Sequence, residues 1–411
     1  MKKLLLFLLS FSAVTSFGQW MPTAIYSTGY DCISAFGKVY SSGATSNNLD
    51  VSSDEGATWT PASTGFPSGG LYLGTTDGAK LYACRGNSIY STTSANSWSA
   101  MSHTLTSGYN VKSMTVINGT VIAAVNYIFS PLSCQTYKFN GTSWVQYGTS
   151  YPNRQFTCIR NLNGNIFAGT SGNLVLKSTD GGMTFTSSST GMPNTTGGDK
   201  YIFCLASNSN TLFAGTQNGN ICRSTDNGST WNTAHSISTG STTIDISDLY
   251  VSSGNRIMAA TDSGFIYSAN NGLTWAKKND GFTYLSGVLY DPLAKITTST
   301  NYIFVATKNG KIYRRAMNEI FSGINEYNIP EVSSKAYPNP ANGNVTIESD
   351  DLIFDTDCEI KLTDILGREV KSVEMKSGKS IINVAEFAEG VYSYTIYQKK
   401  LPVGKGKLVI N

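Results

Sequence analysis

Three aspartates stand in the same local setting along this chain. Asp54, Asp180 and Asp226 each lie two residues after a serine (Ser52, Ser178, Ser224), two before a glycine (Gly56, Gly182, Gly228) and five before Trp59, Phe185 or Trp231. Asn270 holds the matching place between Ser268 and Gly272, ahead of Trp275. Repeated carboxylates could carry hydrolytic chemistry, yet each neighbour has a simpler use. An aspartate side chain accepts backbone N–H groups two residues on, and a following glycine takes positive φ. The hydroxyls bind nearby backbone, and the aromatic residue opening the next strand adds a large apolar surface. We therefore expect these residues to build turns, and no catalytic residue is assigned.

Other side chains could meet a ligand: Asp31, Asp245, Asp248 and Asp262 as acids, Tyr109, Tyr151 and Tyr284 as aromatic polar contacts, and Arg154 as a cation. Each also has a plain structural use, since an aspartate beside a strand caps turns and a loop tyrosine packs as a lid. No metal site is expected: the sequence has no C-x-x-C, and its two histidines, His103 and His235, follow anchor tryptophans in different repeats. No cofactor is expected either.

The turn residues belong to a larger repeat. Trp59, Trp98, Trp144, Phe185, Trp231 and Trp275 follow one another at 39 to 46 residues. Segments ending in Thr170, Thr216, Thr261 and Thr307 recur in the same register. The units anchored by Trp98 and Trp144 carry Thr93 and Phe139 where the aspartate would be. A period in this range with one hairpin per unit reads as a β-propeller blade. The S-x-D-x-G-x-T-W/F pattern resembles the Asp box of BNR-like propellers, in which the hairpin lies at the rim, away from the central pocket. A seventh unit, Phe304 to Arg314, never reaches an aromatic anchor, while Trp20 has no inner strands before it. The expected solution lends the N-terminal stretch to the last blade, removing a free sheet edge. The fold class is thus all-β: a seven-bladed propeller, with six or eight blades as alternatives, followed by a small Ig-like β-sandwich.

Residues 1–18 read as a secretory signal peptide, with Lys2 and Lys3, the apolar run Leu4 to Leu9, and a small-x-small site at Ser16 to Gly18. The propeller is assigned to 19–320 and a linker to 321–334. No later run reaches transmembrane length. The tail carries Tyr337, Pro338, Asn339 and Pro340, then Gly367 and Arg368, then Gly390 and Tyr392, and closes on Gly406 to Ile410 around Lys407. Tyr392, Tyr394 and Ile396 alternate as half-buried strand positions do. These ordered motifs make residues 335–411 closely similar to the type A C-terminal sorting domain of the type IX secretion system of Bacteroidota. The resemblance implies recognition by that machinery, passage through the outer membrane, and a secreted or cell-surface product.

Charged residues make up 14% of the chain and the net charge is +3, with no Lys/Arg run, so nucleic acid is not an expected partner. Seven cysteines do not suggest a disulfide framework. Cys32, Cys158 and Cys204 fall at one repeat position and read as buried hydrophobes.

Ligands are expected where the loops leading into each inner strand converge: residues 99–112, 145–155, 186–200, 232–246 and 276–286. The stretch Tyr127 to Pro131, inserted in the third blade, reads either as an exposed apolar patch for a partner or as a folded-down lid. The leading expectation is a monomeric, non-enzymatic binder of a glycan or a protein. A glycoside hydrolase is the alternative, because Asp boxes are familiar in sialidases and xyloglucanases. The chain lacks the Arg-Ile-Pro that opens a sialidase arginine triad, and only one propeller is present where xyloglucanases use two. A third class resembles assembly-factor propellers of the photosystem II stability type.

Overall fold

The computed structural model describes residues 19–23, 30–43, 49–66, 72–93, 97–101, 105–194, 200–237, 244–285, 288–321, 334–349, 358–364, 368–375, 378–398 and 401–411. The expected signal peptide, all but the ends of the expected linker, His103 and Gly367 lie outside them. The chain divides into two compact units, Met1–Gly323 and Ile324–Asn411.

The first unit is a propeller of seven antiparallel sheets, each a four-stranded blade, with Tyr151–Pro152 added as a fifth strand to blade three. Their innermost strands are Asp31–Ala35, Tyr72–Thr76, Tyr109–Ile117, Phe156–Leu162, Ile202–Ser207, Ile246–Ser252 and Leu293–Thr298. Each touches the next in this order, and the last touches the first, so the ring is closed. In blades one to six the outermost strand follows in sequence. In blade seven it is supplied by Met21–Pro22, paired antiparallel with Tyr313 and Arg314. The expected exchange of N-terminal chain into the last blade is thus present, and the count is seven.

The hairpins between third and fourth strands show why their sequence repeats. Gly56, Gly182, Gly228 and Gly272 each donate their N–H to the serine four residues back, at 2.7 to 3.0 Å. Asp54, Asp180, Asp226 and Asn270 each accept the N–H of the threonine four residues on, at 2.8 to 2.9 Å. The Thr58 hydroxyl and amide hold the Asp54 carboxyl down to about 2, so its turn stays charged over the ordinary pH range. In blade three, where Phe139 replaces the aspartate, Asn140 takes over by accepting the N–H groups of Thr142 and Ser143.

A second repeated device joins neighbouring blades. Trp98, Trp231 and Trp20 donate their indole N–H to Ala62, Ser188 and Lys278 of the preceding blade, at 3.1, 2.8 and 2.6 Å. Their backbone N–H groups reach Thr64, Thr190 and Asp280. The residue after each of those acceptors is Gly65, Gly191 or Gly281, at positive φ, where a Cβ would sit 2.1 to 2.3 Å from the tryptophan carbonyl oxygen. Only glycine fits such an approach. Trp20 is 1% exposed, meets Phe265 edge-on and stacks on Phe282. It therefore does in blade seven what Trp98 and Trp231 do in blades two and five.

The second unit packs a three-stranded sheet (Ser334–Tyr337, Asn344–Ser349, Lys379–Asn383) with a four-stranded one (Cys358–Thr363, Glu369–Glu374, Gly390–Gln398, Leu401–Ile410). Val345, Ile347, Ile360, Leu362, Ile396 and Leu408 alternate along their strands into one buried core. Asn339 lies beside the last strand: its Nδ2 donates to the Lys407 carbonyl and its Oδ1 accepts from the Val409 N–H, both at 2.8 Å. Ala341 donates to the Val409 carbonyl and accepts from Asn411. The side-chain amide thus acts as a substitute peptide group on the open edge of that strand.

Candidate functional site

In a four-stranded meander, the turns after the first and third strands share one end of the blade. The loop leading into the blade and the turn after the second strand share the other. The Asp-bearing hairpins therefore mark one face of the ring, and the long loops form the opposite one.

Along the channel, each inner strand has no sheet neighbour on its inward side, so some N–H groups there lack a ladder partner. Side chains of the preceding blade supply acceptors. Asp31 accepts from Leu73 N–H (2.9 Å), Ser113 from Ile159 (3.1 Å) and Asp248 from Ile296 (2.9 Å). Pairing with the second strand places Asp31, Ser113, Cys158, Cys204, Asp248 and Lys295 at one level, opposite Ser42, Ala124, Gly169, Gly215, Ala260 and Ala306. This corrects the reading of Cys32. Blades four and five carry a bulge just before the paired cysteine, and blade one has none. A one-residue slip turns a side chain to the other face. Cys204 packs toward the following blade, its thiol on the Ile246 carbonyl, whereas Cys32 packs with Trp59 and with Phe304 of the preceding blade. All seven cysteines are free thiols.

The channel charges are mutually engaged. Lys295 Nζ lies 3.4 Å from Asp248 Oδ1, and the Asp248 carboxylate, with a smaller push from Asp31, holds the ammonium well above the usual lysine range. Lys295 keeps 43% side-chain exposure. Asp31 is 4% exposed. Burial pushes its carboxyl up to about 6, against the opposing pull of Lys295 and the Leu73 N–H.

That elevation makes a testable statement. The folded-state value lies above the unfolded one, so the folded protein binds the proton more tightly between about pH 4 and pH 6, and stability declines as pH rises through that window. Asp31→Asn, which still accepts from Leu73, should stabilise the propeller by on the order of 2 kcal/mol at pH 8 and by little at pH 4. Thermal melts of both proteins across that range check it. A difference that does not widen with pH would exclude the buried carboxyl as its source.

The eight candidate residues form three groups. Asp31 and Asp248 stand at one level of the inner strands, each bonded to the backbone of the following blade. Asp245, Asp262 and Tyr284 gather on the loop face of blades six and seven. There Lys308 Nζ lies 2.7 Å from Asp262 and 3.6 Å from Asp245, and the Tyr284 hydroxyl donates to the Ser263 carbonyl at 3.4 Å. Burial, reinforced by Asp262, raises the Asp245 carboxyl, while Lys308 draws it back. Tyr109, Tyr151 and Arg154 lie on blades three and four. The Tyr151 hydroxyl accepts the Phe185 N–H at 2.6 Å, and Arg154 sits 6.0 Å from the Tyr151 ring. Tyr109 packs on Tyr127 and Tyr137.

Lys295 and Lys308, the partners of the blade-six acids, carry no motif of their own. Aligning the seventh inner strand with Cys158, Cys204 and Asp248 would have brought out Lys295. Among the described residues no cluster of three or more metal-ligating side chains occurs.

Comparison with known proteins bears on both units. Residues 335–411 match the secretion system C-terminal sorting domain. The tail thus belongs with signals handled by the type IX machinery, and the chain is destined for the cell surface or for secretion. No described helix is long and apolar enough to cross a membrane.

Among solved structures, PorZ, a surface component of the type IX secretion system of Porphyromonas gingivalis, shares 15% identity at a TM-score of 0.52. The match covers 95% of this chain and 61% of that one. YCF48 from Cyanidioschyzon merolae shares 14% identity at 0.51, over 72% of this chain and 98% of its own. Virginiamycin B lyase from Staphylococcus aureus shares 13% at 0.54, over 72% and 97%. At such identities the likeness is one of fold, the propeller. No curated protein matches the sequence.

Proposed function

We propose that the propeller is an exported binding module that engages a glycan or a protein through its loop face and does no chemistry on it. One observation carries this reading: the candidate acids are already engaged by neighbouring blades. Asp31 holds the Leu73 amide, Asp248 holds Ile296 and Lys295, and Asp262 and Asp245 share Lys308. A general acid or base must be within reach of the atom it protonates. Carboxylates fixed in blade-to-blade bonds serve the ring first.

The hydrolase alternative keeps one supporting feature. Asp31, with its raised carboxyl, stands at the same level as Asp248, and a pair of carboxyl groups is the usual equipment of a glycosidase. Against it, Asp31 is almost wholly buried and one of its oxygens already holds Leu73.

A glycan array and a surface-protein overlay with the mature chain test the proposal together. Saturable binding without turnover is the expected result. Hydrolysis of any bound sialoside or β-glucan that disappears in Asp248→Asn would overturn it.

A further inference from the structure

We propose that the loop face of blades two to four docks an acidic protein segment that presents an apolar side chain to Ile128, Phe129 and Leu132. This deepens the binding-module reading and rests on it.

The three side chains are 46%, 57% and 41% exposed, in the turn after the second strand of blade three. They are pinned in place. Ile128 N–H donates to Gly108, and Asn153 N–H donates to Leu132. Phe129 leans edge-on against Tyr127, which packs on Tyr109, which reaches the buried Tyr137. Gly108, at φ +91, lies so close beneath Tyr127 and Phe129 that a Cβ there would stand 2.6 Å from the Tyr127 ring. The segment is therefore held outward by its supports, the exposed one of the two arrangements its sequence allows. Apolar side chains fixed in water form the kind of anchor that concentrates binding energy.

Charge selects the occupant. Arg85, Lys112 and Arg154 lie on the same face, and among the described residues no carboxylate pairs with any of them. Val111 N–H donates to Gly86, which joins the backbone next to Arg85 to the backbone next to Lys112, while Arg154 follows the Asn153 that binds Leu132. On blade seven, by contrast, Lys295, Lys308 and Lys311 are each paired with an aspartate. Unpaired cations beside an apolar anchor attract an anionic partner with an apolar group. Two of the three exposed side chains are branched aliphatics. These interlock with side chains, whereas a sugar face stacks on flat rings, so a peptide fits better than an acidic glycan.

The test uses the mature full chain and a fluorescein-labelled peptide, Glu-Glu-Leu-Glu-Glu-Phe-Glu-Glu, followed by anisotropy. Controls are the same peptide with Leu and Phe changed to Ser, and polygalacturonate as competitor. Binding should weaken at least tenfold with the serine peptide, with Phe129→Ser, and with Lys112→Glu combined with Arg154→Glu, and it should fall steeply with salt. Melting temperatures near that of the parent establish that these surface variants fold.

The inference is overturned if the peptide does not bind, if Phe129→Ser leaves its affinity within twofold, or if polygalacturonate binds with the same dependence on Phe129. A glycan or protein ligand found on the arrays but indifferent to Phe129 and Arg154 would remove this surface and leave the binding reading standing. Arrays blank for every ligand would remove both.

Discussion

Trp20→Ala is expected to lower the melting temperature of the propeller by on the order of 10 °C. Removing a fully buried tryptophan costs about 3 to 5 kcal/mol, and in a unit of this size each kcal/mol shifts the midpoint by a few degrees. Here the deletion also leaves the Lys278 carbonyl without its indole donor and strips Phe265 and Phe282 of their partner. Gly281→Ala should act in the same direction from the other side, because its Cβ would collide with the Trp20 backbone at a φ of +98. Trp275→Ala is the control: that indole is only partly buried and bonds Gly272 within its own hairpin, so its loss should cost less than half as much. A Trp20→Ala protein melting within about 2 °C of the parent would show that the N-terminal strand is dispensable to the ring.

Deleting residues 335–411 should trap the propeller in the periplasm, since the matched sorting domain would be gone. The point variant Asn339→Asp asks which contact in the tail matters. A carboxylate still accepts the Val409 N–H but cannot donate to the Lys407 carbonyl, and it sets negative charge against that oxygen. Loss of one such bond with an unpaired group left behind costs about 1 to 3 kcal/mol. The last strand should then exchange its Val409 amide faster, and surface-exposed or secreted protein should drop several-fold, with Asn339→Gln restoring less than Asn339 itself. Full export of the truncated chain would defeat the sorting assignment. Full export of Asn339→Asp would confine Asn339 to a structural part.

The ring was legible because its signal is local. Ser, Asp, Gly, Thr and an aromatic residue within eight positions close one turn by hydrogen bonds four residues long, so spacing alone counts most blades. Trp20 was legible as the missing seventh aromatic for the same reason. What escaped was long-range. Asp248 and Lys295 are 47 residues apart in sequence and 3.4 Å apart in space. Nothing in either neighbourhood announces the pair. Cys32 was misplaced because a bulge is invisible in a strand pattern of period two, yet one extra residue turns the side chain from the following blade to the preceding one. The loop candidates failed to converge for a related reason. Each was chosen at its own blade, and depth in the ring parts Asp248 from Asp245 as much as position around it parts both from Tyr109, Tyr151 and Arg154.

The strand Met21–Pro22 pairs with residues about 290 positions later. A chain that emerges N-terminus first therefore presents the sealing segment at the outset and can use it only at the end. Joining ends across such a loop carries an entropic penalty of roughly 5 kcal/mol on logarithmic loop scaling, and contacts of such separation form late. Until then Ile312–Ala316 waits as a bare strand edge able to pair with another molecule. A circular permutant with its new ends in the loop between two blades would turn that slow, distant docking into an ordinary hairpin. The native order thus makes completion of the ring a record that the whole propeller has arrived.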